Sequence, residues 1–194
     1  MESQQLRKRP KQIRSKLMVD NILEAAIRVL KEGPYEKFTT NKVAEAAGIS
    51  VGSLYQYFSN KQVILLELET IAVNQMIENV ERQLFDERHA SQDRMFNAIK
   101  YFFITESSFY DIPFTSNLEF SAQLNKIKKS IDFFLKSNEY IDEGSDDFLA
   151  DYLVMLWSGV AEQVGKRKDI KDLDPWIQIT FDTTILSINN YQKG

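Results

Sequence analysis

The sequence predicts an all-α protein, with an N-terminal three-helix domain of the helix-turn-helix kind and a larger C-terminal helical domain. Three observations carry this. Apolar residues recur at helical spacing through most of the 194 residues, and no strand-like alternation runs far enough to compete. Residues 39–61, TTNKVAEAAGISVGSLYQYFSNK, read as two short helices around a tight glycine turn. Charge divides sharply: residues 1–62 carry 11 Lys and Arg against 6 Asp and Glu, whereas residues 63–194 carry 13 against 22. Within a net charge of −4, that asymmetry pairs a basic face suited to nucleic acid with an acidic body. The plain alternative is an acidic protein that carries a basic tail.

Residues 1–15 are polar, basic and interrupted by Pro10, and read as a flexible arm. Arg7, Lys8, Arg9, Lys11 and Arg14 suit phosphate or minor-groove contact, or equally a solvated tail. Residues 16–32 form a first helix with Ile22, Ala25, Ala26, Val29 and Leu30 on one face, ended by Gly33-Pro34. In the next helix Thr39 or Thr40 is the cap, and Val43, Ala44 and Ala47 share the apolar side. Gly48 stops it in the left-handed conformation. Ser50 caps a second short helix, expected over Ser50–Phe58, with Leu54 and Phe58 as its inner stripe. Its outer face carries Ser50, Val51, Ser53, Gln56 and Tyr57, none of them acidic. A polar second helix set across a glycine turn is the form of a DNA-reading helix-turn-helix.

Residues 60–85 read as one long helix, opened by a capping box of Ser59 and Gln62 and buried along Leu65, Leu68, Ala72, Met76, Val80 and Leu84. The sole histidine, His89, lies in a polar segment without converging ligands and reads as a surface residue. Residues 91–138 form helices broken near Asp111-Ile112-Pro113 and dense in aromatics. These rings form a core, or a core around a cavity in which Asn97, Thr105, Glu119 and Gln123 supply polar groups. Residues 146–168 form a helix capped by Ser145, with Asp146 and Asp147 at its positive end and Lys166, Arg167 and Lys168 at its negative end. Its stripe is Leu149, Leu153, Leu156, Val160 and Val164, and Gly159 and Ala161 permit close helix approach. Residues 175–191 form the last helix, with Asp174 as cap and Pro175 in the first turn. Apolar residues cover most of its circumference, so it is buried on two sides, either by its own chain alone or by its chain and a second copy.

In order, Ile22, Ala25, Ala26, Gly33, Thr39, Val43-Ala44, Ala47-Gly48-Ile49-Ser50, Gly52, Leu54-Tyr55, Tyr57-Phe58 and Lys61 form a spaced set over the first third of the chain. That third resembles the N-terminal domain of the TetR/AcrR family of bacterial transcriptional regulators. The remainder matches only in length and helical character. Gln62 departs from the acid common there, which bears on helix capping more than on DNA. The resemblance implies a flexible arm over 1–15, a DNA-binding domain over 16–62 and an effector-binding and dimerisation domain over 63–194. Asn41, Val51, Gly52, Ser53 and Gln56 would lie nearest base edges, with Ser50 at the head of the helix. Thr39, Thr40, Tyr55, Tyr57 and Lys61 would hold phosphates. Gln56 suits adenine and Val51 a thymine methyl, and no arginine is present for guanine. The effector residues would be Phe102, Thr105, Phe109, Phe120, Gln123, Phe134, Tyr152 and Trp157. The dimer seam would be Leu149, Leu153, Leu156, Val160, Ile177, Phe181, Ile185 and Ile188.

Composition narrows the function further. Without cysteine there is no disulfide framework, thiolate metal site or cysteine nucleophile. No phosphate loop, nucleophile elbow or metal spacing is present, so neither an enzyme nor a cofactor is expected. The charged N-terminus is not a secretory signal, and Tyr152–Ala161 is too short to span a membrane. The expectation is a cytoplasmic bacterial homodimer on a palindromic double-stranded operator, a repressor released by a small apolar or amphipathic effector. The alternatives are an effector-independent DNA-binding regulator and a helical protein–protein adaptor.

Overall fold

In the computed structural model the backbone of residues 13–108, 117–167 and 169–192 is described, with all their side chains except those of 13, 108 and 117–123. Most of the expected arm, the break at Asp111-Ile112-Pro113, Phe109 and Lys168 lie outside the described residues. So do the side chains of Phe120, Glu119 and Gln123. Among the described residues there are eight α-helices and no strand. They are α1 (Ile13–Lys31), α2 (Thr40–Ala46), α3 (Val51–Tyr55), α4 (Lys61–Leu84), α5 (Ser91–Ser108), α6 (Asn117–Ser137), α7 (Phe148–Gly165) and α8 (Asp174–Tyr191), with a short 3-10 turn at Tyr35–Lys37. None is long and apolar enough to cross a membrane. The chain divides into two compact units between Ile71 and Ala72.

In the first unit α1 begins at Ile13, three residues inside the segment read as an arm. Ile22, Ala25 and Ala26 of α1 pack with Val43 and Ala44 of α2, Leu54 of α3, Phe58 and Ile64, all at most 1% exposed. Burying that much apolar side chain, at about 25 cal/mol per Å² removed from water, is what lets helices of five and seven residues persist.

In the second unit α7 is central, packed on α5, α6 and α8. Trp157 is fully buried, and its Nε1–H donates to Thr184 Oγ1 at 3.0 Å. The Thr184 hydroxyl in turn donates to the Thr180 carbonyl at 2.8 Å. Phe102 meets the indole edge to face, centroids 5.8 Å apart. Two side chains bind the C-terminal part of α4. Arg94 donates to the Leu84 carbonyl at 3.1 Å, and Ser130 Oγ donates to Glu81 Oε1 at 2.7 Å.

Three helix starts differ from expectation. At α4 the Val63 N–H donates to Asn60 Oδ1 at 3.0 Å, so Asn60 rather than Ser59 is the cap. At α7 the Phe148 N–H donates to Asp146 Oδ1 at 3.2 Å, because a carboxylate is a stronger acceptor than the Ser145 hydroxyl. Asp147 turns instead to Lys128. At α8 the expected cap, Asp174, is the first helical residue, Leu173 holds the cap position, and the Asp174 N–H donates to Asp172 Oδ1 at 3.0 Å. At its other end α7 stops at Gly165, with Lys166 paired to Glu162 and Arg167 to Asp169.

Candidate nucleic-acid interface

The turn between α2 and α3 follows from Gly48. Its φ is +68°, the left-handed region in which a Cβ is strained. The Gly48 N–H donates to Glu45 O and the Ile49 N–H to Ala44 O, both at 3.0 Å. This pair closes α2 as a Schellman motif. Two side chains from α1 take the next carbonyls: Asn21 Nδ2 donates to Ala47 O at 2.9 Å, and Arg28 donates to Ala46 O at 3.0 Å. Both contacts escaped the sequence reading. Their only trace is two polar residues seven apart on α1, which also fits a solvated face.

Thr39, not Thr40, caps α2, accepting from the Lys42 N–H at 3.3 Å. The Thr40 hydroxyl is thereby free to share a hydrogen bond with Tyr55 OH at 3.2 Å, linking α2 to α3. Ser50 caps α3 by accepting from the Ser53 N–H at 3.0 Å, and its hydroxyl also bonds the Ser53 hydroxyl at 2.8 Å. The Ser53 hydroxyl is thus already engaged. Helix α3 spans Val51–Tyr55 only. The expected extension to Phe58 is a turn, with Gln56 N–H bonded to Ser53 O and Tyr57 N–H to Leu54 O. The helix stops because Phe58 enters the core and Asn60 must then leave helical geometry to cap α4.

Asn41, Gly52, Tyr55 and Gln56 are exposed, and Val51, Ser53 and Tyr57 are half-buried. A Cβ on Gly52 would meet only Ser50 Oγ at 3.8 Å, so the fold itself leaves room for a side chain there. At the start of α4, Lys61 lies with Nζ 4.5 Å from the centroid of the Tyr35 ring and 3.5 Å from the Phe38 carbonyl.

The other sequence-chosen residues fall in the second unit. Phe102, Phe134 and Trp157 are fully buried in one core. Thr105 spends its hydroxyl on the Tyr101 carbonyl. Tyr152 is exposed and lines no interior, because it faces away from Leu153 and Trp157 on α7. Of the expected dimer residues, Leu149, Leu153, Ile177 and Ile188 are sealed in their own chain's core and present nothing to a second copy. Leu156, Val160, Phe181 and Ile185 are half-buried. The exposed apolar side chains of these helices are Phe148, Tyr152 and Met155 on α7, and Ile179 and Leu186 on α8. Gly159, with open space around it, continues the α7 stripe at helical spacing.

Residues 22–68 match the family described as bacterial regulatory proteins, tetR family. The chain is 28% identical over 134 residues to a fatty acid metabolism regulator protein of Bacillus subtilis, covering 69% of this chain and 68% of that protein. The fatty acid degradation regulator FadR of Bacillus halodurans superposes with a TM-score of 0.63 at 19% identity, over 87% of this chain and 97% of that one. SmeT, the repressor of a multidrug efflux pump of Stenotrophomonas maltophilia, superposes at 0.64 and 20% identity, over 87% and 89%. SmeT has also been solved with triclosan. The structural likenesses establish the fold.

Proposed function

The chain belongs to the TetR family of bacterial transcription regulators, and from that premise we propose that it is a homodimeric repressor released from a palindromic operator by an amphipathic effector. The observation that carries the reading is the first unit. Thr39, Gly48 and Ser50 fix two short helices by local bonds, and Asn41, Gly52 and Gln56 are left pointing outward. None of those three is needed to hold the fold, and each suits a base edge or a close backbone approach. Thr40 and Tyr55, joined by their hydroxyls, and Tyr57 and Lys61 are the phosphate contacts.

Two copies would join through the exposed stripes of α7 and α8. Phe148, Tyr152, Met155 and Gly159 recur every three or four residues, as a helix seam requires. A two-fold seam would set two α3 helices about 34–36 Å apart, one turn of B-DNA. The effector would bind in the second unit among the aromatics of α5 and α6. The B. subtilis relative regulates fatty acid metabolism, which favours a ligand with an acyl chain. Binding there would displace α6, whose Ser130 bonds Glu81 of α4, and α4 would carry the displacement to Lys61.

Selection of bound duplexes from a random pool tests the reading. The expected product is a palindrome with half-sites about one helical turn apart, bound with a steep salt dependence, log Kd changing by about 0.9 per phosphate neutralised. Recovery of no preferred sequence, with affinity indifferent to salt, would refute it.

A further inference from the structure

Tyr35 stands outside every role assigned above, yet it holds the side chain of a phosphate contact. We infer that Tyr35 is a positioning residue for DNA binding, its ring face aiming the Lys61 ammonium at the backbone phosphate. This rests on the proposed role of Lys61.

The argument begins with an electrostatic oddity. Lys61 is the first residue of α4, a helix of 24 residues. The N-terminal end of a helix carries partial positive charge, so an ammonium there sits at the unfavourable pole. No carboxylate compensates: among the described residues no ion pair involves Lys61. Its neighbours are instead a ring face, with Nζ 4.5 Å from the Tyr35 centroid, and the Phe38 carbonyl at 3.5 Å. The carbonyl is at the outer limit of hydrogen bonding, so the ring is the firmer partner. A cation within about 6 Å of a tyrosine face is held by the ring quadrupole without being neutralised. A carboxylate would cancel the charge that a phosphate needs; a ring leaves it intact.

Both partners are fixed. Tyr35 opens the 3-10 turn Tyr35–Lys37, which follows Pro34 at φ −65°. The Lys37 N–H donates to Pro34 O and the Phe38 N–H to Tyr35 O, both at 2.9 Å. Phe38 is 1% exposed and anchors the end of the turn in the core. Thr39, the cap of α2, follows directly. The turn therefore places a ring beside α4 and a capped helix start beside the same ammonium. An anion arriving there would meet the lysine charge and the α4 dipole together. The ring keeps the four-carbon stem from sampling other rotamers, so less freedom is lost when the phosphate docks.

The test uses full-length protein and a random-sequence duplex of about 30 base pairs, since phosphate contacts act on any sequence. Tyr35→Leu should weaken binding about two- to fivefold per reading head, and Tyr35→Phe should bind as the parent does. Lys61→Met should lower the salt slope by about 0.9 per head. Adding Tyr35→Leu to Lys61→Met should then change nothing. Without DNA, the Lys61 ε-methylene protons should show an upfield ring-current shift that disappears in Tyr35→Leu. A wild-type affinity for Tyr35→Leu would overturn the inference, as would tighter binding, an equal loss in the Lys61→Met background, or no ring-current shift in the parent protein. If the parent protein binds no duplex in dilute buffer, the DNA-binding reading itself falls. The NMR shift then still decides whether the pairing exists.

Discussion

Replacing Met155 with glutamate separates the proposed seam from the fold. Met155 is 74% exposed on α7, so its loss removes little packing within the chain. Fully burying a methionine side chain contributes about 1.5–3 kcal/mol. Three quarters of that, counted once in each of two copies, is about 2.3–4.5 kcal/mol of association free energy. The dimer constant should therefore weaken by roughly 40- to 2000-fold. Two added carboxylates facing each other would oppose association further. Sedimentation equilibrium over a wide concentration range measures the change directly, with Asn125→Glu on the exposed side of α6 as a control of equal charge. The helical signal and the thermal midpoint of the monomeric unit should stay near those of the parent. The reasoning is refuted if Met155→Glu associates as tightly as Asn125→Glu does. It is also refuted if the variant unfolds, because that would make Met155 part of the core.

Three further outcomes follow from individual contacts. Gly48→Ala should cost about 1 kcal/mol in urea unfolding. Nothing lies within 4 Å of the new Cβ, so the loss is the strain of an L-residue at φ +68°, partly offset by a stiffer unfolded chain. Thr184→Val should cost about 1–3 kcal/mol, because it strands the buried Trp157 indole N–H; the indole fluorescence of the folded state reports whether the ring has moved. The Lys128 ammonium lies 2.7 Å from Asp147 and 2.6 Å from Asp151 and holds the Asp147 carboxyl below its ordinary 3.8. A depressed carboxyl stabilises the fold above its unfolded value, and that contribution is lost as pH falls through its folded value. Acid unfolding of the parent should accordingly steepen below about pH 4, and Lys128→Met should flatten that limb in a circular-dichroism titration.

The features of the first unit that act over short sequence distances were legible. Gly48 and Ser50 act on residues three to five away, and the Ala-Gly-Ile-Ser run states both the stop and the restart. Lys61 and Tyr55 could be proposed as contacts from the sequence, but the Tyr35 ring and the Thr40 hydroxyl beside them could not be read there, because those pairings join residues far apart in sequence. Asn21 and Arg28 escaped for the same reason: they bind carbonyls 26 and 18 residues away. In the second unit periodicity located α7, α8 and the buried stripe of α7, but did not separate the core face from a face free to meet a second copy. Helix α7 is apolar over so wide an arc that the stripes Leu149–Leu153 and Phe148–Tyr152–Met155 are equally good patterns. Only tertiary packing makes the first a core and the second a surface. The acceptors used at the three helix starts, Asn60, Asp146 and Asp172, show a similar degeneracy. Each start offers two or three competent acceptors within reach, and the choice depends on what else competes for them, as Lys128 does for Asp147.

Helix α4 is where these two kinds of information meet. It contains neither glycine nor proline over 24 residues, so it has no built-in point at which to bend. Its start is set locally by the Asn60 cap, and by the packing of Lys61 against Tyr35 and Phe38, which lie far back in the sequence. Its end is set by tertiary bonds, from Arg94 to the Leu84 carbonyl and from Ser130 to Glu81. Breaking the Ser130–Glu81 bond would leave a half-buried carboxylate without its donor, a cost of the order of 1–3 kcal/mol, so a shift of α6 is expected to take the adjoining end of α4 with it.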